Sequence, residues 1–348
     1  MQQLLGSLVN KYHEGLSALK TFEDPDQITN MVDFLNNVMS LASRTTKAFS
    51  DKQTMQSCLC SDLFVQLMMT FLDGVNVESG RLLSGLRQYL HRMVVCLENE
   101  LLPHLGSIVQ KFLFVTGDLK TLQDFIILIQ QIVSKYKENL IPHLRNEMGS
   151  IYDVLWKAFR LPLDLSDETV KRDFMYLKRA YFQLLAVMVS NKALDLWACG
   201  GLQVLEQLIE SILLGALDTS DPLSQRQCFS MAHKALDEVK RYPEHKDWIE
   251  NMAFHRMCPA CFQAPLTDNF DFEDAQAALV LSEIGLCLKK FYAYKGDLFL
   301  TILSEQCLCQ LVNNNASQEF IATLRTSDTK AFQRYVKGFF ENLASTRR

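Results

Sequence analysis

The sequence predicts an all-α fold of stacked antiparallel helix pairs, and three observations carry that reading. Apolar residues recur at helical spacing along almost the whole chain. Period-two alternation bounded by hairpin turns, the mark of strands, is nearly absent. A near-identical phrase occurs twice, Glu100-Leu101-Leu102-Pro103-His104-Leu105 and Asn139-Leu140-Ile141-Pro142-His143-Leu144. Its two copies lie about forty positions apart, and helices filling such an interval are the signature of HEAT-type hairpins. No hairpin of this kind buries its apolar faces alone, so each leans on its neighbours in an α-solenoid, a right-handed superhelix. Residues 1–348 are expected to form one continuous array of about seven to eight pairs, at roughly 40 to 47 residues each, with function on the inner curve.

Each break in the periodicity has its own chemistry. In Glu23-Asp24-Pro25-Asp26 an aspartate precedes a proline at a helix start. Val115-Thr116-Gly117-Asp118 separates two helices, and the second shows one apolar stripe of Leu122, Phe125, Ile126, Ile129, Val133 and Tyr136. Leu161-Pro162-Leu163-Asp164 is a further break, followed by the stripe Leu177, Tyr181, Leu184, Leu185 and Met188. Later breaks fall at Cys199-Gly200-Gly201 and Asn313-Asn314-Asn315. In Asp221-Pro222-Leu223-Ser224-Gln225-Arg226, Asp221 is placed to cap, Pro222 fits the first helical position, and Arg226 can reach the neighbouring repeat.

Composition agrees with a helical chain that has a large core: Gly 14 and Pro 8 are few, and 48% of residues are hydrophobic. The ten cysteines sit mostly in apolar helical stretches, as Cys96 and Cys228 do, and read as core residues of a reducing compartment. Met1-Gln2-Gln3-Leu4-Leu5 is not the opening of a secretory signal. The most apolar stretch, Phe125 to Val133, is interrupted by Gln130 and Gln131, so no membrane insertion is expected. A net charge of -5 disfavours a chain that coats nucleic acid over its whole surface but leaves room for local basic faces.

Catalytic chemistry finds no constellation. His255-Arg256-Met257-Cys258-Pro259-Ala260-Cys261 offers a Cys-x-x-Cys pair with a histidine ahead of it, but no second pair of that spacing completes a zinc site. The helical context also argues against a thioredoxin-like redox pair and for cysteines packed inward. Cys58/Cys60 and Cys307/Cys309 point to different helix faces. Asp271, Glu273 and Asp274 suit a helix start. No phosphate loop or nucleophile elbow occurs, so no catalytic residue, cofactor or metal is expected.

Basic faces are better ordered. Lys171, Arg172, Lys178 and Arg179 fall in one arc, away from the Leu177 stripe. Lys330, Arg334 and Lys337 share a face opposite Phe332, Tyr335, Phe339 and Phe340. Further candidates are Arg87 and Arg92 around His91, Arg226, and the group Lys289, Lys290 and Lys295. Cations repeated along an array can track a phosphate backbone; the alternative is the ordinary solvated side of amphipathic helices.

Long stretches carry a family resemblance. They are Lys47-Ala48-Phe49-Ser50-Asp51-Lys52-Gln53-Thr54, Ser84-Gly85-Leu86-Arg87-Gln88-Tyr89-Leu90-His91-Arg92-Met93, Pro259-Ala260-Cys261-Phe262-Gln263-Ala264-Pro265-Leu266, Asn269-Phe270-Asp271-Phe272-Glu273-Asp274-Ala275-Gln276 and Tyr335-Val336-Lys337-Gly338-Phe339-Phe340. In order and over nearly the whole chain, they resemble the C-terminal part of the tRNA exportins, in the importin-β family of HEAT-repeat transport receptors. The resemblance implies a receptor segment that binds mature tRNA, acts in the full-length family with Ran-GTP, meets nuclear pore proteins and shuttles between nucleus and cytoplasm. Nothing in the chain resembles the family's N-terminal Ran-binding repeats, so these are expected to be absent. A structured RNA is recognised mostly by shape, through phosphates and 2'-hydroxyls, which calls for spaced cations and no catalytic pocket. The alternatives are a HEAT scaffold for protein partners without RNA and a cysteine-based metalloenzyme.

Overall fold

A computed structural model describes residues 2–46, 61–76, 79–113 and 118–347. Lys47–Thr54 of the resemblance, Val115-Thr116-Gly117 of one turn, and Cys58 and Cys60 lie outside the described residues. Every regular element among the described residues is a helix. They pair into seven hairpins, distributed over two compact units, Met1–Leu184 and Leu185–Arg348.

The first unit contains α1 (Gln2–Leu19), α2 (Pro25–Thr45), α3 (Ser61–Gly74), α4 (Gly80–Cys96), α5 (Leu105–Leu113), α6 (Leu119–Tyr136) and α7 (Ile141–Phe159). The helix α8 (Glu168–Ser190) closes it and gives its last residues to the second unit. First members of successive hairpins, α1, α3, α5 and α7, lie side by side in one layer, and α2, α4 and α6 in another. Caps set the starts: Asp24 Oδ1 accepts from the Asp26 amide at 3.1 Å, and Asp118 Oδ1 from the Lys120 amide at 3.1 Å.

The duplicated phrase is how a first helix begins. One copy runs through the 3-10 turn Glu98–His104 into α5, and the other through the turn Lys137–Leu140 into α7. Leu101 and Leu105, like Leu140 and Leu144, are wholly buried, while His143 is exposed and His104 half-buried. Each such leucine contributes roughly 1.5–3 kcal/mol of burial, so the phrase is kept by its leucines. The backbone repeats as well: Glu98 and Lys137, ahead of the two copies, both have positive φ, 48° and 52°.

Polar ties then join the second helices to their neighbours one repeat away. Tyr136 Oη donates to the carbonyls of Val94 and Glu98 at 3.2 and 2.7 Å, and Gln130 Nε2 to that of Ala180 at 2.8 Å. Both apolar stripes read from the sequence, on α6 and α8, are buried.

The second unit contains α9 (Leu202–Leu217), α10 (Pro222–Glu238), α11 (Lys246–Glu250), α12 (Cys258–Gln263), α13 (Ala275–Lys295), α14 (Asp297–Leu303), α15 (Cys309–Leu311), α16 (Asn314–Thr326) and α17 (Thr329–Arg347). A π turn, Asn251–Met257, joins α11 to α12, and a second, Ser304–Leu308, joins α14 to α15. Here α10, α13 and α17 form the layer of second helices. Gln333 Nε2 donates to the Ser282 carbonyl at 2.8 Å, 51 positions away. That spacing exceeds the expected 40 to 47 residues, and its interval holds the π turn Ser304–Leu308 and the inserted α16; in the first unit the Gln130–Ala180 tie already spans 50 positions. The insertion is part of the core: the ring of Phe320 of α16 packs at 5.6 Å from Phe262, 5.6 Å from Phe332 and 4.8 Å from Phe339, measured between ring centroids and in tilted or edge-to-face orientation.

The start of α10 differs from expectation in one bond. Asp221 holds the cap position and Pro222 the first helical one, but Asp221 Oδ2 accepts from the Ser224 hydroxyl at 2.6 Å instead of capping a backbone amide by its side chain. Arg226 does reach the next repeat, with Nε 3.5 Å from Glu283 Oε2. Among the described residues, no helix is long and apolar enough to cross a membrane.

Candidate nucleic-acid interface

The second helices place the basic residues, and their partners separate cations that hold the fold from cations that face solvent. In the first unit Arg87 is mostly covered and pairs with Asp124 of α6 at 2.9 Å. Arg92 donates to the Thr46 hydroxyl at 2.7 Å and the Thr46 carbonyl at 3.2 Å, closing the C-terminal end of α2. Between them His91 Nδ1 meets Gln131 Oε1, and burial pushes the His91 pKa below its ordinary value, against the upward pull of that bond. These three side chains belong to the seam between hairpins.

On α8 the arc is present. Lys171 and Arg172 are exposed, with Glu168 and Asp173 at 3.3 Å each, and Lys178 and Arg179 are half-buried further along.

In the second unit Lys289 Nζ donates to the carbonyls of Leu324 and Ser327 at 2.8 and 2.5 Å and lies 5.8 Å from the Phe332 ring centroid. It closes the C-terminal end of α16, and desolvation pulls its pKa down. Lys295 pairs with Glu250 at 2.8 Å over the ring of Phe254. Lys290 is exposed, 3.7 Å from Asp237, and Arg226 is half-exposed beside Glu283.

The face of α17 is different. Lys330, Arg334 and Lys337 are all exposed, while Phe332, Val336 and Phe340 are buried on the other side. Glu341, 3.5 Å from Lys337, is the carboxylate paired there, and among the described residues neither Lys330 nor Arg334 has one within ion-pair distance. The three cations span about 10 Å of helix axis. Sequence reasoning passed over Lys234, exposed two turns beyond Arg226 on α10, because no second lysine or arginine stands one turn away to mark the face.

The cysteines pack inward as expected: Cys258 and Cys261 are both buried, and of Cys307 and Cys309 only the second is exposed. Asp195, Glu244 and His245 bring one possible ligand atom each within 4.8 Å of one another. His245 Nε2 already meets Asp195 Oδ1 at 2.9 Å, and its ring lies between Tyr242 and Trp248 at 5.7 and 5.6 Å. That trio is a strut between two 3-10 turns.

Comparison with known proteins places the chain. The family model for Exportin-T matches residues 2–344. Exportin-T of Mus musculus is 33% identical over 98% of this chain, that of Homo sapiens 32% over 98%, and that of Dictyostelium discoideum 31% over 72%. The chain spans 36% of the length of the mouse and human relatives. A match at this identity over nearly every described helix, on stacked HEAT-type hairpins, shows that the chain belongs to the Exportin-T family.

Proposed function

We propose that this chain is a segment of a nuclear export receptor for tRNA, acting through residues 1–348 as one continuous HEAT array. Its work is carriage and not catalysis. The observation that supports the reading most is family membership over nearly the whole chain. Geometry adds the choice of residues. In the second unit the open cations Lys330, Arg334 and Lys337 contact phosphates, with Lys290, Arg226 and Lys234 as flanking charges. In the first unit Lys171, Arg172, Lys178 and Arg179 do so. Arg87, Arg92, Lys289 and Lys295 are spent on internal partners and act by shaping the surface.

In the full-length receptor Ran-GTP binds together with tRNA, and the two are coupled because both favour one curvature of the array. Nuclear pore proteins and shuttling between nucleus and cytoplasm follow from the same role. The acidic balance, -5 overall, suppresses indiscriminate RNA binding. The test is binding of folded tRNA across a salt series by wild type and by Lys330→Glu/Arg334→Glu/Lys337→Glu. Wild type should bind at low salt with a slope that reports how many phosphates it neutralises. The variant should bind more weakly, with a slope smaller by about one for each phosphate it no longer neutralises. Equal binding by the two removes α17 from the interface; no binding by wild type at low salt removes the reading for this segment.

A second reading, a scaffold for protein partners, is favoured by one observation. Leu202, Leu214 and Leu298 stand 81%, 60% and 68% exposed. Partner capture that is indifferent to ribonuclease and lost on Leu202→Ser/Leu298→Ser would support it.

A further inference from the structure

Two π turns in consecutive hairpins of the second unit bring together residues that the sequence keeps far apart. Each π turn widens a helix locally, and such turns cluster at functional sites. Asn251–Met257 and Ser304–Leu308 lie side by side, and His255 Nδ1 meets Gln306 Nε2 across them at 3.1 Å. Directly after the first turn stands Cys258, and within the second Cys307; their sulfurs are 3.9 Å apart although the residues are 49 positions apart. Cys258 thus pairs with Cys307 of the next repeat, and not with Cys261 of its own Cys-x-x-Cys. Cys261 faces Cys287 in the same core.

The pair differs from the other buried cysteines in access. A cleft of about 250 Å³ opens between α12 and the π turn Ser304–Leu308, lined by Pro259, Phe262, Gln263, Gln306 and Cys307 among others. Cys307 lies on its wall, 4% exposed, whereas Cys258 and Cys261 are fully covered.

We propose that Cys307 and Cys258 form an oxidisable pair, in which a hydroperoxide entering the cleft oxidises Cys307 and Cys258 then closes a disulfide between two repeats. The Cys307 thiol loses its proton and its sulfur attacks the peroxide. The O–O bond breaks, the hydroxide leaves with that proton as water, and Cys307 becomes a sulfenic acid by a two-electron oxidation. The Cys258 sulfur then attacks the Cys307 sulfur. The S–O bond breaks, a second water leaves with the Cys258 proton, and the S–S bond forms. Two thiols and one hydrogen peroxide give one disulfide and two waters.

The electrostatics favour this order of roles. Donation from Cys258 pulls the Cys307 pKa down, while the same bond, burial and the neighbouring thiols push Cys258 up. Burial holds Cys261 and Cys287 up as well, which leaves them poor nucleophiles. Closing the bond draws the sulfurs from 3.9 Å to about 2.05 Å. It would tie two first-layer helices together and fix the pitch of that pair of repeats.

The experiment is graded hydrogen peroxide on the full chain, alkylation of remaining thiols and peptide mapping without reduction. The expected result is a Cys258–Cys307 cross-link as the first product, reversed by dithiothreitol, with a raised Tm for the oxidised protein. In Cys258→Ser, and in Cys258→Ala as a second variant with no buried hydroxyl, dimedone should trap a sulfenic acid at Cys307. The proposal is overturned if Cys261–Cys287 is the first cross-link, if the exposed Cys309 is oxidised while Cys307 stays reduced, or if folded Cys258 variants give no dimedone adduct at Cys307.

Discussion

His233 Nε2 lies 2.9 Å from Glu283 Oε1 across the seam between α10 and α13, and Arg226 approaches the second oxygen of that carboxylate at 3.5 Å. Both members of the central pair are buried, and His233 Nδ1 has no partner among the described residues. Burial alone would raise the Glu283 pKa, but His233, Arg226 and Ser230 together outweigh it and the shift is downward. A carboxylate held below the ordinary value of about 4.3 stabilises the fold fully above that value and loses its contribution as pH falls through the folded-state pKa. Glu283→Ala should therefore destabilise the second unit by roughly 2–3 kcal/mol at pH 7. The gap to wild type should narrow as pH falls to about 4 and below; urea unfolding at the two pH values measures both. A gap that stays constant with pH would show that the carboxylate's charge is not what is lost.

Lys289 and the α17 cations should separate cleanly. Lys289→Met removes two charge-assisted bonds to the carbonyls of Leu324 and Ser327. It should cost about 2 kcal/mol of stability and leave the affinity of the remaining folded protein for tRNA unchanged. Lys330→Glu/Arg334→Glu should do the reverse, lowering affinity at nearly constant Tm, because exposed charges outside ion pairs contribute little to stability. Thermal unfolding and tRNA binding on the same preparations decide the matter.

This contrast also marks what was legible in the sequence. Helix class, hairpin order and both apolar stripes follow from periodicity, because burial of a helix face is a local pattern with a fixed period. The face of α17 was legible for the same reason, since Lys330, Arg334 and Lys337 sit opposite residues that had to be buried. Arg92 and Lys289 were not, because their partners, Thr46, Leu324 and Ser327, are 46, 35 and 38 positions away and are set by how repeats stack. The Cys258–Cys307 contact was hidden likewise: the two residues are 49 positions apart, and the interval includes the irregular connection at 267–274, whose length periodicity does not give.

Lys137 sits at φ 52° and ψ -133°, a conformation that L residues enter only at a cost, and its side chain is exposed. Lys137→Gly should raise stability by about 1 kcal/mol despite the larger entropy of the unfolded glycine chain. Glu98 shares the positive φ but forms an ion pair with Lys135 at 3.8 Å, so Glu98→Gly should gain less. Denaturant midpoints of the two variants against wild type test the order.

Two glycines in the second unit should respond differently to alanine. A methyl group on Gly285 of α13 would stand 3.1 Å from the Cα of Gln333 and 3.1 Å from its Cγ. Neither atom gives easily: one is backbone of α17, and the other belongs to a side chain held by its bond to the Ser282 carbonyl. On Gly338 of α17 a methyl group meets nothing within 4 Å. Replacing a helical glycine by alanine gains about 0.8–1.0 kcal/mol of helix propensity, so Gly338→Ala should stabilise by close to that amount. Overpacking typically costs about 1–3 kcal/mol, which cancels or exceeds the gain, so Gly285→Ala should be neutral to destabilising by up to about 2 kcal/mol. Unfolding curves of the two single variants measure the difference. A stabilised Gly285→Ala would mean that α13 and α17 slide apart at little cost, and the close approach would then play no part in fixing the seam.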